Sequence, residues 1–231
     1  MPKKSFGKKL SSNRATIPDE LLLRMANEFE NPLLKFDDDD VYDQDRQCLS
    51  TTITGIPIAI KYFLWTKIPH ELQEWMINLT EINMKDLYDS CSWKWNRQSK
   101  INEFKHSTAK HLIVFDLSQS PPSSGEEKPI AFVHFRFEKG YVSDAVLYCY
   151  ELQIEKSYQQ KGIGSYLMNL LESLGKQFRM KKSIVTVLKN NQQAYQFYTN
   201  GQQFRIDKNS PSNFDEQQQP IEYEILSKKI S

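Results

Sequence analysis

The segment Gln159-Gln160-Lys161-Gly162-Ile163-Gly164 carries the densest chemical signal in this chain of 231 residues. Two of only eight glycines stand where an amphipathic helix begins. Ser, Thr, Asp or Asn would be expected there if capping were the only demand. Missing Cβ atoms let several backbone N–H groups point at one anion, and the helix dipole adds partial positive charge at the same place. No Gly-Lys-Ser/Thr follows, so this is not a Walker loop, and it does not follow the dinucleotide pattern Gly-x-Gly-x-x-Gly. A different diphosphate is implied, with a plain tight strand-to-helix turn as the alternative.

Just upstream, Val146 to Ile154 alternates so that Leu147, Cys149, Glu151 and Gln153 are expected on one face and Tyr148, Tyr150 and Leu152 on the other. Glu151 interrupts an otherwise apolar centre. Burial there would raise its pKa towards a general base's range, unless a structural Arg or Lys satisfies the carboxylate. Downstream, in Asn191-x-x-Ala194-x-x-Phe197-Tyr198, the aromatics Tyr195, Phe197 and Tyr198 read by spacing alone as core. His70, His106, His111 and His134 are scattered over different elements, so neither a metal site nor a Ser-His-Asp triad is expected. Trp65, Trp75, Trp93 and Trp95 lack the basic stripe that base stacking on nucleic acid would accompany.

The elements that position these residues follow from periodicity. Asp19 to Glu30 reads as an amphipathic helix ended near Pro32, Thr51 to Ile60 as a first strand, and Pro69 to Asp89 as one broken helix or two. A polar helix follows Trp95. His111 to Leu117 and Pro129 to Glu138 form a hairpin around the long loop 118–128, and Ala145 to Ile154 is a third strong strand. Gly162 to Met180 is an amphipathic helix, Ser183 to Leu188 a buried strand, Asn191 to Asn200 a short helix, and Gln202 to Asp207 and Ile221 to Ser227 closing strands. The order implies an α/β fold, a mixed central sheet flanked by helices with an added N-terminal helical segment. Residues 1–16 read as a flexible basic arm, 17–48 as the N-terminal helix with a solvated acidic linker from Asp37 to Asp45, and 49–231 as the catalytic-type domain. The arm could serve nuclear import or a histone partner, although a solvated terminus is the commoner explanation.

Composition narrows the classes. With 30 Lys+Arg against 29 Asp+Glu there is no global basic field, which argues against nucleic acid as a direct partner. No apolar run approaches the roughly 20 residues of a membrane span. Three cysteines without metal-ligand spacing, and no secretory signal, suit a reducing compartment, nucleus or cytoplasm.

Gln-x-x-Gly-x-Gly between strand and helix, followed one strand later by the Asn191 to Tyr198 motif, resembles the GNAT acetyltransferase superfamily. Three further stretches resemble its NatD-type N-alpha-acetyltransferases, which modify histones H-four and H-two-A: Leu87 to Trp95, Tyr148 to Gln153, and Ser210-Pro211-Ser212 before Tyr223 to Ser227. The resemblance runs from about Glu71 to the C-terminus. It implies a GNAT fold and acetyl transfer from acetyl-CoA, the cosubstrate, to an N-terminal serine of Ser-Gly-Arg-Gly type, without a metal. It further implies that Glu151 is the catalytic acid/base, assisted by Tyr150, and that Tyr198 faces the cosubstrate's sulfur. Leu152, Gln153, Ile154, Gln159, Gln160, Lys161, Gly162, Ile163, Gly164, Ser165 and Asn191 would contact acetyl-CoA. Tyr88, Trp93, Glu138, Tyr150, Thr186 and Tyr223 would contact the histone tail. The family places an acidic pair after the position of Phe137; here Glu138 matches the first acid, and Lys139-Gly140-Tyr141 leaves the second missing or supplied by Asp144. No auxiliary subunit is demanded, and a monomer is expected. Two alternatives remain: a GNAT enzyme acting on lysine or a small-molecule amine, and a non-catalytic acyl-CoA-binding module.

Overall fold

Between Cys48 and Phe63 the chain makes a hairpin rather than the single strand expected. Thr54 and Gly55, both at positive φ (45° and 83°), turn β2 (Cys48–Ile53) back onto β3 (Ile56–Phe63). Two central residues at positive φ match the right-handed twist of the flanking strands. The Ile-Thr-Gly-Ile sequence hides the turn, because apolar residues continue on both sides of it.

The computed structural model describes residues 17–35, 41–43, 48–118, 127–141, 143–214 and 220–230. The basic arm, the Asp37 to Asp40 run and most of the loop 118–128 lie outside them. Among the described residues, nine strands form one sheet in the order β1-β2-β3-β4-β5-β6-β7-β9-β8. The remaining strands are β1 (Val41–Asp43), β4 (Lys110–Asp116), β5 (Lys128–Lys139), β6 (Ala145–Ile154), β7 (Lys182–Leu188), β8 (Arg205–Ile206) and β9 (Tyr223–Lys229). All neighbours are antiparallel except β6 and β7.

Helices cover both faces. On one, α1 (Asp19–Glu28) and α4 (Ile163–Gln177) bury Leu22, Ala26, Leu167, Leu171 and Leu174 against β5, β6 and β7. On the other, α2 (His70–Asp89) and α3 (Arg97–Phe104) bury Met76, Ile77, Leu79 and Phe104 against Ile113, Phe115 and Phe132. α2 is one unbroken helix. α3 is capped by the Asn96 side chain, which accepts from Ser99 N at 2.8 Å, and is held to α2 by Arg97, which reaches Glu74 and Glu81 at 2.7 and 2.9 Å. A short helix α5 (Gln192–Gln196) and a π turn at Phe197–Gly201 follow β7.

At the end of α1 a lysine is buried. Lys110 Nζ donates to Asn27 O at 3.3 Å, and burial lowers its pKa to about 8. The unfolded chain, with a lysine near 10.4, therefore binds more protons between those values, and stability is expected to rise as pH climbs from about 8 towards 10. Lys110→Met should raise the thermal midpoint at pH 7 and flatten that rise. A midpoint that follows the same pH curve in both proteins would disprove the assignment.

Candidate active site

β6 and β7 pair only as far as Cys149 and Val185. Beyond that point the strands part, and the gap between them is the site. β6 carries a second irregularity: His134 pairs with Glu151 and Phe135 with Cys149, which leaves Tyr150 as an extra, unpaired residue. This bulge reverses the facing expected from strict alternation. Cys149 stays with Leu147 in the core under α1 and α4, whereas Glu151 and Gln153 join Tyr148 and Tyr150 on the face of α2 and α3. The sequence reading that put Glu151 beside Leu147 and Cys149 is corrected accordingly.

Two adjoining cavities occupy the gap. The smaller, about 310 Å³, has Glu151 in its wall together with Tyr88, Trp93, Tyr150 and Thr186. The larger, about 960 Å³, runs past Gln159, Gln160, Gly162, Gly164 and Ser165. Met84, Leu152, Gln153, Asn191, Ala194 and Tyr198 line both, so these six stand where the cavities meet.

Glu151 is buried and held at both oxygens. Lys100 Nζ donates to Oε2 at 2.9 Å, and Gln153 Nε2 donates to Oε1 at 2.5 Å. Gln153 is itself fixed by Asn83, whose Nδ2 donates to Gln153 Oε1 at 2.7 Å. The basic partner considered from the sequence is thus present, and it is Lys100. Burial works against the Lys100 charge, yet the carboxylates of Glu151 and Glu103 and the Tyr88 phenol together raise its pKa. Lys100, Glu103 and Asn83 were missed in the sequence. One signal was available: Lys100 stands four residues before the buried Phe104, which puts it on the inner face of α3.

Tyr198 is almost fully buried with its hydroxyl against the Cys149 thiol. Burial, then Cys149 and Glu151, push its phenol well above the ordinary value, so it is a proton donor at neutral pH. Burial likewise raises Cys149 to about 12, which leaves it a neutral thiol. Tyr88 is pushed to about 12, chiefly by burial and then by Glu151.

The remaining predicted contacts separate into groups. Tyr88 and Trp93 form an aromatic wall, ring centroids 6.2 Å apart, which Tyr223 extends at 5.0 Å from Trp93. The Thr186 hydroxyl is bonded to the Tyr148 hydroxyl. Glu138 lies behind Tyr150, whose hydroxyl donates to its two oxygens at 3.1 and 3.0 Å. Asp144 is near Lys181 at 3.8 Å, an exposed lysine that also pairs with Asp19 of α1. The wall is clasped across the gap: Ser92 N and Oγ bond Glu222, and Asn190 Nδ2 bonds Leu87 O and Ser90 Oγ at 2.9 and 2.8 Å. His111 and His134, expected apart, are stacked neighbours on β4 and β5 with centroids 5.1 Å apart, buried and held well below their ordinary pKa by burial.

At the far end, Gln160 (φ 58°) and Gly162 (φ 86°) adopt left-handed conformations that lift the loop before α4, and Gly162 supplies one of them without steric cost. The first turn of α4 then presents N–H groups with no intrahelical acceptor. A Cβ at Gly164 would lie 3.3 Å from Ile154 Cδ1 and from Phe197 Cζ. The positions of the loop residues differ. Gln159 holds Ile154 O at 3.1 Å, Ile163 turns into the core, and Lys161 lies over the Tyr158 ring, outside the residues lining the cavity. Asn191 caps α5, accepting from Ala194 N at 3.0 Å.

A model of the Acetyltransferase (GNAT) family matches residues 77–204. The chain belongs to that family. The match takes in Glu151, the loop at 159–164 and the Asn191 to Tyr198 motif, so this GNAT chain carries its family signature on the residues that surround the gap. Solved structures show the same fold at low identity. Arabidopsis thaliana NAA60 in complex with a bisubstrate analogue aligns with TM-score 0.54 and 14% identity, over 74% of this chain and 99% of that one. The NatC complex bound to Gag peptide and CoA gives 0.51 and 15%, over 74% and 99%. The GNAT domain of S. lividans PAT gives 0.54 and 10%, over 82% and 99%.

Acetyl-CoA fits the larger cavity by the character of its lining: free N–H groups and a close backbone at Gly164 suit a pyrophosphate, and Asn191 and the edge of β6 suit an amide-bearing arm. A valine at Gly164 would press on Ile154 and Phe197, so Gly164→Val should cost ~1–3 kcal/mol of folding free energy. Denaturant titration checks it, and unaltered stability would mean that those two side chains give way.

Proposed function

We propose that this GNAT enzyme transfers acetyl from acetyl-CoA to a free N-terminal amine, and that its substrate is a histone tail of Ser-Gly-Arg-Gly type. The observation that carries the reading is Glu151 in the wall of a slot of about 310 Å³ bounded by Tyr88, Trp93, Tyr150 and Thr186. Bonds from Ser92 to Glu222 and from Asn190 to Leu87 fix the segment that carries Tyr88 and Trp93. A slot with these aromatic walls suits a chain end better than a lysine arm with main chain running on in both directions. Magnitudes agree: an α-amine of pKa about 8 is roughly a tenth neutral at pH 7, and a lysine near 10.4 only to a few parts in ten thousand. Glu138, half-buried next to Tyr150 and raised in pKa chiefly by desolvation, would lie within reach of a substrate arginine that follows the terminus.

In this reading acetyl-CoA supplies the thioester, and the chain orients the amine against it in a ternary complex. Glu151 takes the proton from the amine, directly or across a water. Backbone N–H groups at Leu152 or Gln153, at the edge left open by the parting of β6 and β7, polarise the carbonyl. Tyr198 donates to the departing sulfur. Tyr150, pushed up by burial and by Glu138, stays neutral and shapes the slot. The enzyme works as a monomer without an auxiliary subunit, in nucleus and cytoplasm, and needs no metal.

The test is acetyl transfer to a Ser-Gly-Arg-Gly-Lys peptide beside the same peptide with its α-amine blocked and its lysine free. Transfer only to the free terminus supports the proposal. Equal transfer to both moves the assignment to lysine, and CoA binding with no transfer to either moves it to another amine or to a binding module.

A further inference from the structure

α3 brings to Glu151 more than a counter-charge. Lys100 Nζ is 2.9 Å from Glu151 Oε2 and 2.9 Å from Glu103 Oε1, and the side chains differ in exposure: 6% for Glu151, 9% for Lys100 and 30% for Glu103. The three groups make a line along the wall of the smaller cavity, graded in exposure from Glu151 to Glu103. Its outer end is fixed on the β5 side, where Arg136 Nη2 donates to Glu103 O at 2.6 Å, Arg136 Nε donates to His134 Nε2 at 3.2 Å, and Glu103 Oε1 lies 3.8 Å from His134 Nδ1. Phe104 packs on His134 from the same helix, so Glu103 has little freedom to swing away. The charged and titratable groups that face Lys100 are Glu151, Glu103, Tyr88 and, from β5, His134.

We propose that Lys100 and Glu103 form the exit route for the proton that Glu151 takes from the substrate amine. The inference rests on Glu151 being the base. Once the proton sits on Glu151, the Lys100 ammonium faces a neutral acid on one side and a carboxylate on the other. Lys100 then gives an N–H proton to Glu103 Oε1 as it receives the proton of Glu151 Oε2–H. The lysine remains an ammonium, Glu151 is again a carboxylate beside it, and the neutral acid is now Glu103, from which water at the surface removes the proton. Two protons shift in concert, one net proton passes from Glu151 to Glu103, and no other reactant is needed. Loss of the proton from Glu103 to water draws the exchange forward and returns Glu151 to the carboxylate that Lys100 and Gln153 hold. Lys100 and Glu103 thus act through Glu151, from places of their own in the wall of the smaller cavity.

Steady-state acetyl transfer, on the amine that the wild-type enzyme accepts, tests the route, because Glu151 must lose its proton before each new turnover. Glu103→Gln keeps the size of the side chain and an acceptor for Lys100 but takes no proton. Its rate should fall about tenfold, part of a general-base contribution, with KM for acetyl-CoA unchanged. Added imidazole should restore the variant's rate and leave the wild type's unaltered, and Glu103→Asp should recover most of the loss. Independently of any variant, the wild-type proton inventory in mixed H2O and D2O should be bowed, as two protons in flight require. A Glu103→Gln rate within about twofold of wild type without imidazole dependence, or a linear wild-type inventory, overturns the relay. Full turnover in Glu151→Gln would instead overturn the base assignment on which it rests.

Discussion

Glu151→Gln should lower kcat for acetyl transfer by about 10²- to 10⁴-fold, the usual contribution of a positioned general base, while KM for acetyl-CoA stays within a few-fold. The separation of the two effects comes from geometry. Glu151 lies in the wall of the smaller cavity, and the loop from Gln159 to Ser165 lines the larger one. A glutamine amide keeps one oxygen for Lys100, but its nitrogen must face the Gln153 amide, which now donates to Glu151 Oε1. Either Gln153 turns and disturbs its bond from Asn83, or a buried donor is left unmet, at about 1–3 kcal/mol. A modest fall in thermal midpoint should therefore accompany the loss of rate. Steady-state kinetics beside a melting curve distinguish this from general unfolding, since a merely destabilised enzyme regains its kcat at lower temperature. Equal kcat in variant and wild type would remove Glu151 from the chemistry.

Phe104→Ala should cost about 3–5 kcal/mol of folding free energy, the range for deleting a fully buried aromatic. Phe104 is completely buried and its ring lies within 6 Å of four others, those of Trp65, His111, Phe132 and His134. It is the anchor of an eight-residue helix whose other buried side chain is Lys100. Loosening α3 should therefore also reduce activity at temperatures where the variant is still folded, because Lys100 would no longer be held against Glu151. Denaturant titration reads the first effect and kcat at 15 °C the second. A loss below about 1 kcal/mol would show that the surrounding rings close the gap without Phe104.

The sequence revealed those parts of the molecule whose signals are local. The apolar stripe of α4, the short buried run of β7 and the glycines before α4 each declare themselves within a dozen residues, and all three are found where expected. What stayed hidden depends on partners. Thr54-Gly55 passes for strand interior until β2 is seen to pair with β3. The facing of Glu151 depends on a register shift set by β5, and nothing in Tyr148 to Gln153 marks Tyr150 as the extra residue. Lys100 shares the inner face of a polar helix with Phe104, but its pairing with Glu151 becomes visible only when α3 is placed against β6. His111 and His134, 23 positions apart, are neighbours because two strands happen to align them.

The bulge at Tyr150 separates two kinds of genetic change at one codon. A substitution alters a single side chain beside Glu138 and Arg136 and leaves Glu151 where it is. Loss of the codon would instead close the bulge: Glu151 would still pair with His134 and keep its face, but the local bend would go and the carboxylate would be drawn back by one residue towards the paired part of β6 and β7. Across descendants of this chain, position 150 should therefore tolerate changes of letter better than changes of length.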